Sequence, residues 1–129
     1  MIAVTWSGKA VSENRRLGIR YISRTDRLGR RRKVATIQPT REYEEFVENL
    51  AYAIKGEIAA TRWKAANMIV QCDVGPLMDD HNLLKPIADA VERSGLLAND
   101  RELKTRLFFP ATRHKRGELD RINLYLMEA

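Results

Sequence analysis

Five apolar residues, Leu83, Leu84, Ile87, Ala88 and Val91, recur at helical spacing between a pair of acids, Asp79-Asp80, and a glycine, Gly95. A helix with one apolar side has to bury it against another layer, so this stretch excludes an all-polar or extended chain. The acids suit the positive end of the helix dipole, and Gly95 suits the left-handed residue that closes a helix. His81, Lys85 and Asp89 follow one another at four-residue intervals and so line a separate, polar side. Pro86 constrains the start, because an interior proline removes a backbone hydrogen bond and crowds the preceding turn. Regular helix therefore begins later than Asp80, near Asn82 or Leu83, or bends in its first turn.

The rest of the chain supplies the layer that this helix needs. Ile2 to Trp6 and Leu17 to Ser23 read as strands, with Ser12 to Arg16 a polar loop between them. Arg24 to Lys33 is either a mobile loop or a hairpin tip. Thr40 caps a long helix in which Tyr43, Phe46, Val47, Leu50, Ile54 and Ile58 keep helical period to about Arg62. Asn67 to Val74 is a strand with Met68, Val70, Cys72 and Val74 on one face. Leu103, Thr105, Leu107 and Phe109 alternate with Lys104, Arg106 and Phe108 as a further strand. A loop from Pro110 to Gly117 follows, and Leu119 to Met127 is the last strand. The order β-β-α-β-α-β-β implies a single α+β domain over residues 1–129, with two helices packed on a mixed sheet.

Charge separates the chain into two parts. Residues 1–40 hold 10 Lys/Arg against 2 Asp/Glu, a net +8, within a total of +6. A one-sided basic excess is the electrostatic footprint of a protein that binds phosphate backbones, or else a solvated basic arm. Its densest part is Arg30-Arg31-Arg32-Lys33, and a second basic cluster is Arg113, His114, Lys115 and Arg116. His114 reads as a DNA-facing or solvated loop residue. The one cysteine, Cys72, leaves no intrachain disulfide and fits a reducing cytoplasm. No apolar run spans a bilayer and no secretory signal opens the chain, so no membrane partner is expected.

Asp-x-(Asp/His)-Asn-x-x-Lys at 79–85, Asp89-Ala90, Gly95 and the turn at Asp100 together resemble the signature of the RusA family of Holliday-junction resolvases. The Ser12-x-Asn14-x-Arg16 segment and the element order extend the resemblance over most of the chain. It implies a RusA-like fold and a homodimeric, magnesium-dependent endonuclease that nicks four-way DNA junctions symmetrically in recombination and repair, in bacteria or their phages. It places Asp79 and Asp100 on metal-binding carboxylates and Lys85 on the catalytic lysine. His81 stands where many members have another aspartate, and Gly75-Pro76-Leu77-Met78 replaces the family's frequent basic residues.

The chemistry of these residue types agrees with such a role. Magnesium prefers oxygen ligands, usually one or two carboxylates completed by water and phosphate. Lys85 suits developing charge on a scissile phosphate, or it serves as an ion-pair partner of Asp89 or Asp79. His81 is a catalytic candidate, as a metal ligand (manganese suits imidazole better than magnesium does) or as a proton carrier; Asp80 is the alternative carboxylate. Asn82 ties down the turn, and Asp89 orients Lys85. Asn14, Arg16, Arg30, Arg31, Arg32, Lys33, Arg113, Lys115 and Arg116 are the expected DNA contacts. Two rival readings are a branched-DNA-binding module without catalysis and a metal-dependent phosphoesterase acting on flaps or RNA. Without the resemblance, acids before an apolar helix are commonly caps alone.

Overall fold

Alternation in the chain's centre builds the strand that carries the rest. Met68, Val70, Cys72 and Val74 are all buried, while Gln71 between them is exposed. The structure, a computed structural model, describes the backbone of all 129 residues and every side chain except those of Arg20 and Asp80. Its elements in order are β1 (Ile2–Gly8), β2 (Leu17–Thr25), β3 (Arg31–Pro39), α1 (Arg41–Ile58), β4 (Ala66–Val74), α2 (Leu84–Ser94), β5 (Leu103–Phe108), β6 (Thr112–Arg113) and β7 (Asp120–Glu128). Single 3-10 turns occupy Glu13–Arg15, Asp80–Leu83 and Asp100–Glu102.

The main sheet runs β1-β7-β4-β5, with β6 continuing beside the end of β4. β7 is antiparallel to β1 and β4, whereas β5 and β6 are parallel to β4, so the sheet is mixed. A parallel neighbour needs a crossover, and α2 provides it between β4 and β5. Val4, Met68, Val70, Ile122, Leu124 and Leu126 from one face of the sheet share a single apolar cluster with Phe46, Leu50, Ile87 and Val91 from the helices. Trp6 and Phe46 meet there with ring centroids 5.1 Å apart. No helix among the described residues is long and apolar enough to cross a membrane.

The α+β class with two helices and mixed pairing is as expected, but four details correct the sequence reading. Residues 31–39 form a strand that was not expected, pairing with β2 over Leu17↔Pro39 to Thr25↔Arg31 in a two-stranded ribbon apart from the main sheet. Its tip is the turn around Asp26, which accepts the amides of Leu28 and Arg30, with Gly29 at φ 77°. The sequence hid β3 because neither side of it is buried, so no alternation of burial marks it. Second, the 110–117 stretch contains the short β6 instead of being all loop.

Third, the strict alternation expected in β5 breaks. A register shift lies between Ala66 and Asn67, whose partners are Leu103 and Thr105. One extra residue in a strand flips every later side chain to the other face. Leu103 is therefore buried and Phe108 packs against the core, while Leu107 is 48% exposed. α1 also stops at Ile58 instead of near Arg62, with Ala59 at φ 52° closing it. Pro86 is resolved as the proline rule requires: a 3-10 turn precedes α2, and Pro86 falls in its first turn, where amides have no helical acceptor. Gly95 at φ 86° closes α2 as a left-handed residue.

Candidate active site

Lys85 sits in the first turn of α2, and Asp89 follows it by one turn on the same side. The Lys85 ammonium is 2.8 Å from Asp89 Oδ1 and 3.4 Å from Asp100 Oδ2, across the turn that enters β5. Two residues 15 positions apart thus meet because α2 and the Asp100–Glu102 turn fold against each other. That turn is fixed independently of its carboxylate. Asn99 Oδ1 accepts the Arg101 amide at 2.9 Å, and the Arg106 guanidinium donates to the Asp100 main-chain oxygen at 2.8 Å. The Asp89 hydrogen bond outweighs the opposing effect of partial burial and holds the Lys85 pKa above the ordinary lysine range. Lys85 is therefore an ammonium throughout neutral pH.

Asp89 has a second partner that the sequence did not reveal. The Tyr43 hydroxyl on α1 donates to Asp89 Oδ2 at 2.6 Å. Burial, reinforced by that carboxylate, pushes the Tyr43 pKa far above the ordinary phenol value, so the hydroxyl keeps its proton and remains a donor. Tyr43 reads in the sequence as a core aromatic, which its ring is. The helical period places it on the buried side of α1 but cannot say what stands opposite the hydroxyl.

Asp79 is exposed and caps the turn ahead of α2, accepting the His81 amide at 3.2 Å and the Asn82 side-chain amide at 3.1 Å. Asn82 thus ties the turn as expected. His81 is exposed, and its main-chain nitrogen serves the cap. The side chain of Asp80, the alternative carboxylate, lies outside the described set. The 3-10 turn at Glu13–Arg15 packs against the Asp80–Leu83 turn and α2, which brings the Asn14 and Arg16 segment next to these elements.

The residues present include an acidic cluster of the kind that can hold a metal ion. Carboxylate oxygens of Asp89, Glu92 and Asp100 lie within 4.8 Å of one another, and this acidic trio can hold a metal ion. Asp79 and His81 belong to no such trio among the described residues. Glu92 is absent from the sequence reading, although its spacing three residues after Asp89 is the signal that would have found it. In this arrangement the Lys85 ammonium supplies the positive charge among the acids.

The basic residues divide by environment. Arg30, Arg31, Arg32 and Lys33 are exposed at the outer end of the β2–β3 ribbon, where Arg32 also lies 3.3 Å from Asp26. Asn14, Lys115 and Arg116 are exposed, and Arg16 is half-buried. Arg113 is turned to a structural use: its guanidinium donates to the main-chain oxygens of Gly75, at 3.1 Å, and Met78. It braces the turn that leads from β4 to Asp79.

The His114 side chain is largely covered by its own loop and Asp120, so the solvated alternative of the sequence reading does not describe it. Its side chain is 6% exposed, with Nε2 2.6 Å from Asp120 Oδ1 and Nδ1 2.7 Å from the Lys115 main-chain oxygen. Both partners are acceptors, an arrangement that favours the protonated ring, in which both nitrogens donate. Asp120, itself buried, also accepts the amides of Ala10 at 2.9 Å and Gly75 at 3.1 Å. The Lys115 carbonyl, and after it the Asp120 carboxylate, raises the His114 pKa above the ordinary value. A raised folded-state pKa stabilises the fold fully below the unfolded value of about 6.5, and the gain is lost as pH rises through the folded value. Melting temperature is therefore expected to fall as pH rises through that window, and His114→Gln to flatten the fall, as scanning calorimetry across pH 5–9 would record.

Compared with known proteins, the chain matches no protein-family model and no curated protein at a significant level.

Proposed function

We propose that this chain is a divalent-metal-dependent endodeoxyribonuclease of RusA type that nicks Holliday junctions and related branched DNA. The observation that carries this reading is the Lys85 ammonium beside Asp100, at the start of a helix whose preceding turn is capped by Asp79. That arrangement is suited to phosphodiester hydrolysis, in which water attacks phosphorus and the bond to the leaving sugar oxygen breaks. Lys85 stabilises charge gathering on the phosphate oxygens, and Asp89 keeps it charged and aimed. Asp100, with Glu92 and Asp89 as neighbouring oxygen donors, would hold magnesium or manganese, and the resemblance adds Asp79 from the turn ahead of α2. His81 would stand beside them as ligand or proton carrier. The ion would supply Lewis-acid stabilisation of the phosphate and a more acidic water.

Binding rests on different residues. The exposed end of the ribbon, with Lys115, Arg116, Asn14 and Arg16, supports contact with phosphates and recognition of branch shape more than of sequence. A homodimer belongs to the same reading, since two sites related by a two-fold axis match the approximate symmetry of a four-way junction. The exposed apolar side of the ribbon, Leu17, Ile19, Tyr21 and Ile37, supports association, because an isolated two-stranded ribbon is marginal in water.

The test uses labelled four-way junction, flap and linear duplex at one salt concentration, with magnesium or manganese. Paired nicks in the junction are expected, and Asp79→Asn is expected to stop them while leaving the mobility shift of the junction intact or stronger. A shift with no nicked strand would assign the chain to the non-catalytic binding reading. Preferential cleavage of the flap would assign it to another phosphoesterase class.

A further inference from the structure

Tyr43 is 2% exposed, and its ring lies in the core with Phe46 and Val47. Only its hydroxyl leaves that core, to end 2.6 Å from Asp89 Oδ2 on the other helix. The opposite oxygen of the same carboxylate, Oδ1, accepts from Lys85 at 2.8 Å. A carboxylate gripped at both oxygens cannot rotate without losing one bond, so its direction is set by α1 as well as by α2. Tyr43 is itself fixed from the N-terminal side. The Thr40 hydroxyl donates to the Arg15 main-chain oxygen at 2.6 Å, the Thr40 amide donates to that of Arg16 at 2.7 Å, and Thr40 Oγ1 accepts the Tyr43 amide at 3.3 Å.

We infer that Tyr43 is a positioning residue, whose hydroxyl anchors Asp89 and through it holds the Lys85 ammonium beside Asp100. A lysine stem has many rotamers, and an ammonium held in place meets developing charge without first being ordered. The catalytic meaning of this inference rests on the nuclease reading; the hold on Lys85 does not.

Tyr43→Phe removes one oxygen and keeps the ring that packs the core. In protein labelled with 15N-lysine, without DNA or metal, the Lys85 ammonium protons are expected to exchange with water several-fold faster in the variant. In junction nicking with magnesium, kcat is expected to fall about tenfold with KM for the junction unchanged. Asp89→Asn removes the group through which Tyr43 acts, so adding Tyr43→Phe to it is expected to cost little more, the signature of residues acting as one unit. Unchanged ammonium exchange in Tyr43→Phe overturns the inference whatever the nicking does, and so does faster exchange with an unchanged kcat. A wild-type protein that nicks no junction sinks the nuclease reading instead, while the exchange measurement still decides whether Tyr43 holds Lys85.

Discussion

Replacing Asp100 with asparagine is expected to abolish metal-dependent nicking, with a fall of about 100-fold or more in single-turnover rate, and to leave junction binding equal or tighter. Asparagine has the same shape, and the turn around residue 100 is held by main-chain atoms and by Asn99, so the fold is expected to survive the change. What is lost is charge. Asp100 shares the Lys85 ammonium with Asp89 and offers oxygens within reach of Glu92 and Asp89. A neutral amide holds a hard cation poorly and no longer balances Lys85. On the proposed reading, binding would improve because a negative group would leave the neighbourhood of DNA phosphates. A labelled junction followed by quench-flow and by mobility shift separates the two effects. Cleavage at the wild-type rate would remove Asp100 from the site.

The largest effect on stability is expected away from the chemistry, at Asp120. One buried carboxylate joins three segments: the Ala10 amide after β1, the Gly75 amide after β4, and the His114 ring in the loop before β7. Asp120→Ala leaves two main-chain donors without their acceptor and frees the His114 ring from its partner. Stranded groups of this kind cost the full desolvation penalty, so a loss of about 3 kcal/mol is expected. For a domain of this size that lowers the melting temperature by about 10 °C. Asp120→Asn keeps an acceptor oxygen and is expected to lose less. Chemical denaturation of both variants at pH 6 measures the difference, and a loss under 1 kcal/mol in the alanine variant would mean that water takes over these contacts. Nicking is expected to weaken as well, because Gly75 and the Arg113-braced turn deliver Asp79 to its place.

The elements with strong periodicity were legible before any coordinates. The cap at Thr40, the apolar side of α1, the buried face of β4 and the glycine stop of α2 are local facts, written in side-chain spacing. The late start of α2 was legible too, as a consequence of proline geometry. β3 was not, because a ribbon exposed on both sides leaves no pattern of burial to read. Nor was the slip in β5, since a register shift depends on the partner strand.

The candidate site divides in the same way. The pairing of its helical members, Lys85 and Asp89, follows from four-residue spacing, and the place of Lys85 in the site from the resemblance. Asp100 was placed by resemblance, and the fold brings it to Lys85. Tyr43, Asp120 and His114 belong to tertiary structure, for each acts through a partner 46, 110 or 6 residues away in the chain. Periodicity says which way a side chain faces. Only the packing of one helix on another, and of the sheet on both, says what it meets there.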